Sequence, residues 1–401
     1  MEEIEILIVG GGICGLATAV ALHRKGIKSV VLERSETLRA AGAGIAILTN
    51  GWRALDELGV ASTLRQTSVS LQRVWDVDLE SGKRRQSPVS VGEARCLKRR
   101  DLVKVLADDL PSGSIRFGCE IVSINLDSIT SFPVLHLSNG SSLTAKVVIG
   151  CDGANSVVAE FLELRPQKMF SLSAVRGFTY YPNGHGLAPE FTRMKRGNIL
   201  SGRTPVDDKL LFWFTLQKSN KKDSAVAKDP ELVTQLSLES VTGYPIEWIN
   251  MIKNCDLNSL SLTHLRYRAP WELLLGRFRR GTVAVAGDAM HVMGPFLGQG
   301  GSAAIEDAIV LARCLAPKMK KYVGQKEKGQ KMLAMAEEIG QGLDEYVEER
   351  RMRLVGLSTQ TYLFGSLVDT SYVIVKIFIL LIFVVFFSNR IKHTKYDCGP
   401  L

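Results

Sequence analysis

Paired cysteines are missing from this chain. The seven present (Cys14, Cys96, Cys119, Cys151, Cys255, Cys314 and Cys398) are odd in number and none stands in a Cys-x-x-Cys spacing. No disulfide framework, zinc site or redox dithiol is therefore written into the sequence, and scattered free thiols in a reducing, intracellular compartment are expected. Long charge tracts of one sign are missing as well. The net charge of +9 arises from 50 basic residues dispersed among 41 acids, which excludes a nucleic-acid arm and suits anionic ligands or a membrane surface. Met1 to Glu5 carry no basic n-region and no Arg/Ser-rich presequence, so no N-terminal targeting peptide is read. No internal repeat occurs. Unbroken apolar runs are scarce too, with one exception near the C-terminus.

What is present describes a globular α/β chain. At 401 residues and 46% hydrophobic content it is long enough for two modest cores, a cofactor domain and a substrate domain. Ile4 to Val9 reads as a fully buried strand ending in glycines, Gly15 to Lys25 as a helix, and Val30 to Leu32 as a second strand, together a β-α-β unit. Helical patterning returns from Trp52 to Leu64 and from Arg99 to Leu110. Ile115 to Ile149 reads as a small antiparallel sheet ending in the strand Lys146 to Gly150. Phe170 to Leu216 is rich in aromatic and β-type residues, as a sheet of another domain would be. Lys218 to Asp229 reads as a surface loop before helices running to about His264; Thr282 to Ala286 is a third buried strand and Gly301 to Leu315 a helix.

The strongest motif is Gly10-Gly11-Gly12-Ile13-Cys14-Gly15, a GxGxxG string at Gly10, Gly12 and Gly15. The first glycine permits the tight turn, the second lets backbone N–H groups approach a pyrophosphate, and the third allows close helix-to-strand packing, with the phosphate at a helix N-terminus. Glu33, at the end of the next strand and followed by Arg34, is placed to accept hydrogen bonds from ribose hydroxyls. This string does not separate FAD from NAD. Two distant segments do: Asp152-Gly153 directly after a buried strand, and Gly287-Asp288 after another, followed by Pro295, Gly298, Gly300 and Gly301 and the acids Glu306-Asp307. An aspartate after a strand binds a sugar hydroxyl, and a glycine-rich helix start offers N–H donors to an isoalloxazine carbonyl or a phosphate.

With these motifs the chain resembles the class A flavoprotein monooxygenases, the family of p-hydroxybenzoate and salicylate hydroxylases, and most closely the plant-type members related to zeaxanthin epoxidase. The likeness runs from Gly10 to about Leu315. Gly42-Ala43-Gly44-Ile45, Asn50 and the following helix are similar to the segment beside the flavin, and Arg99 with Leu102 matches an Arg-x-x-Leu whose arginine lies near the FAD pyrophosphate. By the same resemblance Asp152-Gly153 serves FAD and NAD(P)H, Gly287-Asp288 holds the ribityl and phosphate groups, and Pro295 to Gly301 passes the flavin ring. Two departures stand out: Ala159 where the family often has arginine, and Ser302 where it often has asparagine.

The resemblance implies a Rossmann-type FAD-binding domain with an interleaved β-sheet substrate domain and a C-terminal helical region. The expected boundaries are 1–165 and 276–320 for the two parts of the FAD domain, 166–275 for the substrate domain, 321–370 for C-terminal helices and 371–389 for a hydrophobic segment. It further implies bound FAD, NAD(P)H as electron donor, and transfer of one oxygen from O₂ through a flavin C4a-hydroperoxide to a small aromatic or isoprenoid-like substrate. The other readings are a flavin epoxidase or dehydrogenase acting on a lipid or isoprenoid, and a non-catalytic relative that keeps the fold to bind a protein or prenyl group. A single dinucleotide fingerprint and no redox Cys-x-x-Cys speak against a disulfide-type oxidoreductase. No general base is assigned: His291 reads as a helix-start or loop histidine, His185 and His264 have less context, and Tyr180, Tyr181, Phe212, Trp213 and Phe214 suit either a substrate pocket or alternating core positions.

The one long apolar stretch, Tyr372 to Ser388, is interrupted only by Lys376 and followed by Arg390, Lys392, His393 and Lys395. Its length is marginal for a bilayer, which needs about 20 apolar residues. A tail anchor or an embedded interfacial helix is expected over a core helix, because 11 consecutive apolar residues, Ile377 to Phe387, leave no polar face.

Overall fold

The computed structural model describes residues 2–38, 44–220, 223–322, 330–370, 372–389 and 391–401; Gly42, Ala43 and Arg390, named in the sequence motifs, lie outside them. Strand Glu2–Val9 runs parallel to Val30–Leu32 on one side and to Ser142–Gly150 on the other, and Val283–Val285 pairs parallel to the far edge of that last strand. Ile6, Leu7 and Ile8 are all fully buried. A parallel strand covered on both faces must be apolar throughout, and each such side chain contributes about 1.5–3 kcal/mol. Helix Ile13–Arg24 covers one face and packs on helix Gly300–Lys320, joining the two ends of the cofactor layer.

The second sheet has seven strands. In spatial order they are Ser261–Tyr267, Lys168–Tyr180, Leu210–Lys218, Ile199–Pro205, Glu190–Arg196, Arg73–Asp78 and Arg84–Pro88. The last two come from inside the span 1–165 expected to hold only the first part of the cofactor domain, so the chain crosses to the second sheet earlier than its composition suggests. One face of this sheet, bearing Val175, Leu211 and Trp213, is covered by helices Pro230–Ser240 and Ile246–Lys253 through Val233, Trp248 and Met251. The other face carries Phe170, Leu172, Phe178 and Phe212 and turns toward the cofactor layer: Phe212 abuts Gly44, and Phe170 stacks edge-on against Phe296.

Two expectations change. His264 is not at the end of a helical region but in strand Ser261–Tyr267, whose Leu262 and Leu265 bury on opposite faces in the period-2 manner of a strand. The apolar C-terminal segment forms helix Val373–Phe386, 14 residues long, and among the described residues no helix is long and apolar enough to cross a membrane. The segments on either side of this helix contact the protein body. Before the helix, Asp369 accepts a hydrogen bond from the Ser171 amide; after it, Arg53 and Arg313 donate to the carbonyls of Lys395 and Cys398. Both flanks therefore dock on the same body, whereas a spanning helix would separate them.

The glycine loop provides a test of packing. A Cβ at Gly15 would strike the Gly10 carbonyl oxygen, and one at Gly10 (φ +106°) would lie 2.6 Å from the Cys151 oxygen. Gly15→Ala is expected to cost about 3 kcal/mol in urea denaturation. Gly356→Ala, with open space around it, should leave stability unchanged or slightly raised. Equal midpoints for Gly15→Ala and the parent would refute the close crossing.

Candidate cofactor and active site

Parallel register brings the carboxyl ends of four strands to one edge of the first sheet: Val9 lies beside Leu32 and Gly150, and Gly150 beside Val285. Immediately beyond these strand ends stand the residues of the sequence motifs, namely Gly10, Glu33, Asp152 and Gly287-Asp288. In open α/β sheets this edge is where ligands bind. Glu33 is buried and accepts from the amides of Gly11 (2.8 Å) and Ser35 (2.9 Å), which fixes its carboxylate beside the loop. Arg34 points to solvent.

Gly12 begins helix Ile13–Arg24 with no side-chain cap, so the helix end keeps its positive pole unneutralised. Among the described residues a Cβ built there meets only the Arg99 guanidinium, at 3.9 Å. Open space over a bare backbone, with a cation beside it, is what a pyrophosphate requires. Asp152 braces the next helix and keeps one oxygen in reserve: Oδ2 accepts from Val157 N at 2.8 Å, while Oδ1 is buried without a partner among the described residues. Burial pushes its carboxyl up, and that of Asp288 too. Asp288 lies deep between the layers yet is open to the cleft there. Gly153 comes next, with φ +80°. Gly44 and Ile45 form a short strand against Leu97 and Lys98, and Ile45 sits against Gly301. Pro295 opens a single turn, Gly298 turns the chain at φ +62°, and Gly300 starts the next helix with open space at its Cα. These groups fit a dinucleotide with sugar hydroxyls and a pyrophosphate.

Beneath the loop lies an ion cluster that sequence reasoning missed. Glu306 and Asp307, the acids that follow the glycine-rich segment in sequence, are fully buried inside helix Gly300–Lys320. Arg350, from helix Gln330–Asp369, donates Nε to Asp307 and Nη2 to Glu306, each at 2.7 Å. Asp307 also accepts from the Gly287 amide (2.9 Å) and pairs with His291 Nε2 (2.6 Å); Glu306 accepts from Asn50 Nδ2 (2.6 Å) and Arg353 (3.1 Å). Burial alone raises both acids, but His291 and Arg350 beside Asp307, and Arg350 and Arg353 beside Glu306, hold them below the usual carboxylate range. Fully buried His291 thus belongs to the scaffold under Gly287. The only sequence hint is the Glu348-Glu349-Arg350-Arg351 run, which reads as a solvated helix face.

Between Asp288, the Met293–Pro295 loop and the edge of the second sheet lies a cavity of about 620 Å³, with Arg176, Thr263 and Asn155 on its walls. Of the five aromatic candidates, Trp213 is core and donates to Thr179, Tyr181 is half-buried against the same helix-covered cluster, Tyr180 is exposed, and Phe212 and Phe214 share the face toward the cofactor layer.

The family described as "FAD binding domain" matches residues 3–353. Monooxygenase 1 of Arabidopsis thaliana is 55% identical over 403 residues, covering 100% of both chains. Monooxygenase 2 of the same plant is 36% identical, covering 99% of this chain and 98% of its own. Among solved structures, Klebsiella pneumoniae HpxO complexed with FAD and uric acid superposes with a TM-score of 0.80 at 20% identity, over 99% of this chain and 97% of that one, and so shares the fold.

The ion cluster has a pH signature. A carboxylate depressed on folding stabilises the protein above its unfolded pKa near 4 and loses that contribution as pH falls below it. The urea midpoint should therefore drop as pH is lowered from about 5 to about 2.5. Asp307→Asn should lose about 3 kcal/mol at pH 7 and show a flatter decline; parallel curves for the two proteins would contradict the assignment.

Proposed function

The chain belongs to the FAD-binding family of flavoprotein monooxygenases, and from that premise we propose that it uses NAD(P)H and O₂ to place one oxygen atom on a small organic substrate. The observation that carries this reading is the convergence of Gly12, Glu33, Arg99, Asp152 and Asp288 at one sheet edge, opposite an apolar sheet face. FAD, when bound, supplies the redox chemistry, accepting a hydride from the nicotinamide and activating O₂.

The protein's own contribution is placement. The bare Gly12 backbone, the helix dipole and Arg99 take the pyrophosphate. Glu33 accepts from the adenosine ribose, Asp152 uses its spare Oδ1 for a sugar hydroxyl, and Asp288 accepts from the ribityl chain. Gly300 and Gly301, in the first turn of their helix, would bring backbone N–H groups to the ring with no side chain in the way, while the Gly298 N–H is used by the Pro295 carbonyl. Phe178, Phe212 and Phe214 form a wall that keeps water from the reacting edge. No side chain need act as nucleophile, and none is assigned as base.

A separate observation supports one further property. Helix Val373–Phe386 leaves Ile374, Phe378, Val384 and Phe386 exposed, with Lys392 and Lys395 beyond it. We read it as an interfacial helix lying on an anionic lipid surface, with both flanks held on the protein side. Full-length protein should co-sediment with vesicles containing phosphatidylserine, and Phe378→Lys with Leu381→Lys should abolish this without loss of flavin. Equal sedimentation of parent and double variant would overturn it.

For the main reading, purified protein should carry a flavin absorbance spectrum and consume NADPH and O₂ faster with substrate than without. Gly12→Val, which fits the protein but blocks the approach, should fold normally and lose FAD. Asp288→Ala should fold and weaken FAD roughly 10-fold, one hydrogen bond to a ligand being removed. Normal FAD content in Gly12→Val would sink the site.

A further inference from the structure

Two side chains of residues 295–301 are anchored on the long helix Gln330–Asp369. Phe296 packs edge-on against Phe170 and lies beside Gly365 of that helix, where a Cβ would meet its ring at 2.8 Å. Gln299, only 1% exposed, stands at the N-cap of helix Gly300–Lys320 but does not cap it. Its amide turns away and is held from both ends. Oε1 accepts from Asn50 Nδ2 at 2.8 Å and from Arg353 Nη2 at 3.4 Å, and Nε2 donates to Asn50 Oδ1 at 3.2 Å. The helix start is thereby left uncapped by its own side chain and open to a ligand.

Arg353 is the weak link in this chain. Unlike Arg350 it keeps 10% of its side chain exposed, and its Nη2 divides between Glu306 at 3.1 Å and the neutral Gln299 oxygen. A long cationic side chain with access to water carries its head outward unless something covers it. The cover is Tyr396, whose ring lies 4.4 Å from the Arg353 guanidinium carbon. An aromatic face holds a cation in place while excluding water from it. Tyr396 is itself strapped down: Arg53 donates to the Lys395 carbonyl at 2.9 Å, Arg313 to those of Cys398 and Pro400 at 2.6 and 2.8 Å, and the Leu401 amide donates to Glu57 at 3.0 Å. Arg53 and Glu57 lie on helix Thr49–Leu58, which also carries Asn50, and Arg313 lies on the helix that starts at Gly300. Residues 391–401 therefore tie together the elements that hold Gln299.

We propose that Tyr396 is a positioning residue for the flavin: acting through Arg353 and Gln299, it fixes residues 295–301 against the isoalloxazine ring. The strap formed by residues 391–401 then sets how tightly the ring is held and how readily it is reduced. This rests on the FAD reading of the cofactor edge, and the experiment separates the failure of one from the failure of the other.

The FAD-loaded parent is compared with Tyr396→Phe, Tyr396→Ala and Arg313→Gln by flavin absorbance, FAD dissociation constant, flavin midpoint potential and urea denaturation. Tyr396→Ala should weaken FAD roughly 3- to 10-fold, displace the absorbance maximum and move the potential. Tyr396→Phe, which keeps the ring, should return all three to the parent values. Arg313→Gln, which unties Cys398 and Pro400 without touching Arg353, should shift them in the same direction by less, and it decides the matter if Tyr396→Ala does not fold. A tyrosine that only stabilised the fold would lower the urea midpoint and leave the spectrum, potential and affinity of the flavin unchanged. That result overturns the proposal, as does a Tyr396→Phe protein impaired as far as Tyr396→Ala; in both cases a parent that holds FAD leaves the cofactor reading standing. A parent that binds no FAD overturns the cofactor reading and this proposal together.

Discussion

The architecture hangs on two buried carboxylates and the arginine that answers them. Glu306 and Asp307 stand side by side in a buried stretch of helix, an arrangement that survives only because Arg350 bridges both and because amides, Asn50, His291 and Arg353 use the remaining lone pairs. Removing one partner from such a cluster strands the others. Through it three otherwise separate pieces are held in register: the Gly287 turn that presents Asp288, the helix that opens with Gly300, and the long helix Gln330–Asp369. Tyr396 closes the cluster from outside, its ring 4.4 Å from the Arg353 guanidinium carbon and 5.4 Å from that of Arg350. The C-terminal residues are thereby part of the cofactor scaffold.

The two faces of the second sheet show how one strand period serves two purposes. Odd positions of Lys168–Tyr180 bury under helices and make a core of Val175 and Trp213; even positions make a wall of Phe170, Leu172 and Phe178, with Arg176 set into it. A slip of one residue would exchange the faces and carry the arginine into the core. Register is pinned by nine consecutive pairings with Leu210–Lys218.

Much of the cofactor edge was legible because its signals are local. A short apolar run ending in glycines fixes a strand and its turn, and a strand end followed by an acid places Glu33, Asp152 and Asp288 without knowledge of the rest. The carboxylate cluster was not legible, since Arg350 is 43 residues from Asp307 in the chain and the charges around it look like a wet helix. The strand that holds His264 is ambiguous in sequence, because Ser261 to Tyr267 has the composition of either element. The apolar C-terminal segment visibly lacks a polar face, but a run of side chains cannot tell where its two ends will dock.

The interruption of the cofactor layer by the second sheet also dictates an order of assembly. The first strand lies between Val30–Leu32 and Ser142–Gly150, and the edge beyond is completed only by Val283–Val285 and the helix that packs on Ile13–Arg24. During synthesis the glycine loop therefore emerges early and waits, its helix uncovered on one side, until more than half of the chain has been made. Contacts so distant in sequence form slowly and leave apolar surface open in the interval. The ligand-binding edge is thus built from segments made first and last, and it is complete only once Val283–Val285 and the helix after it have joined the sheet.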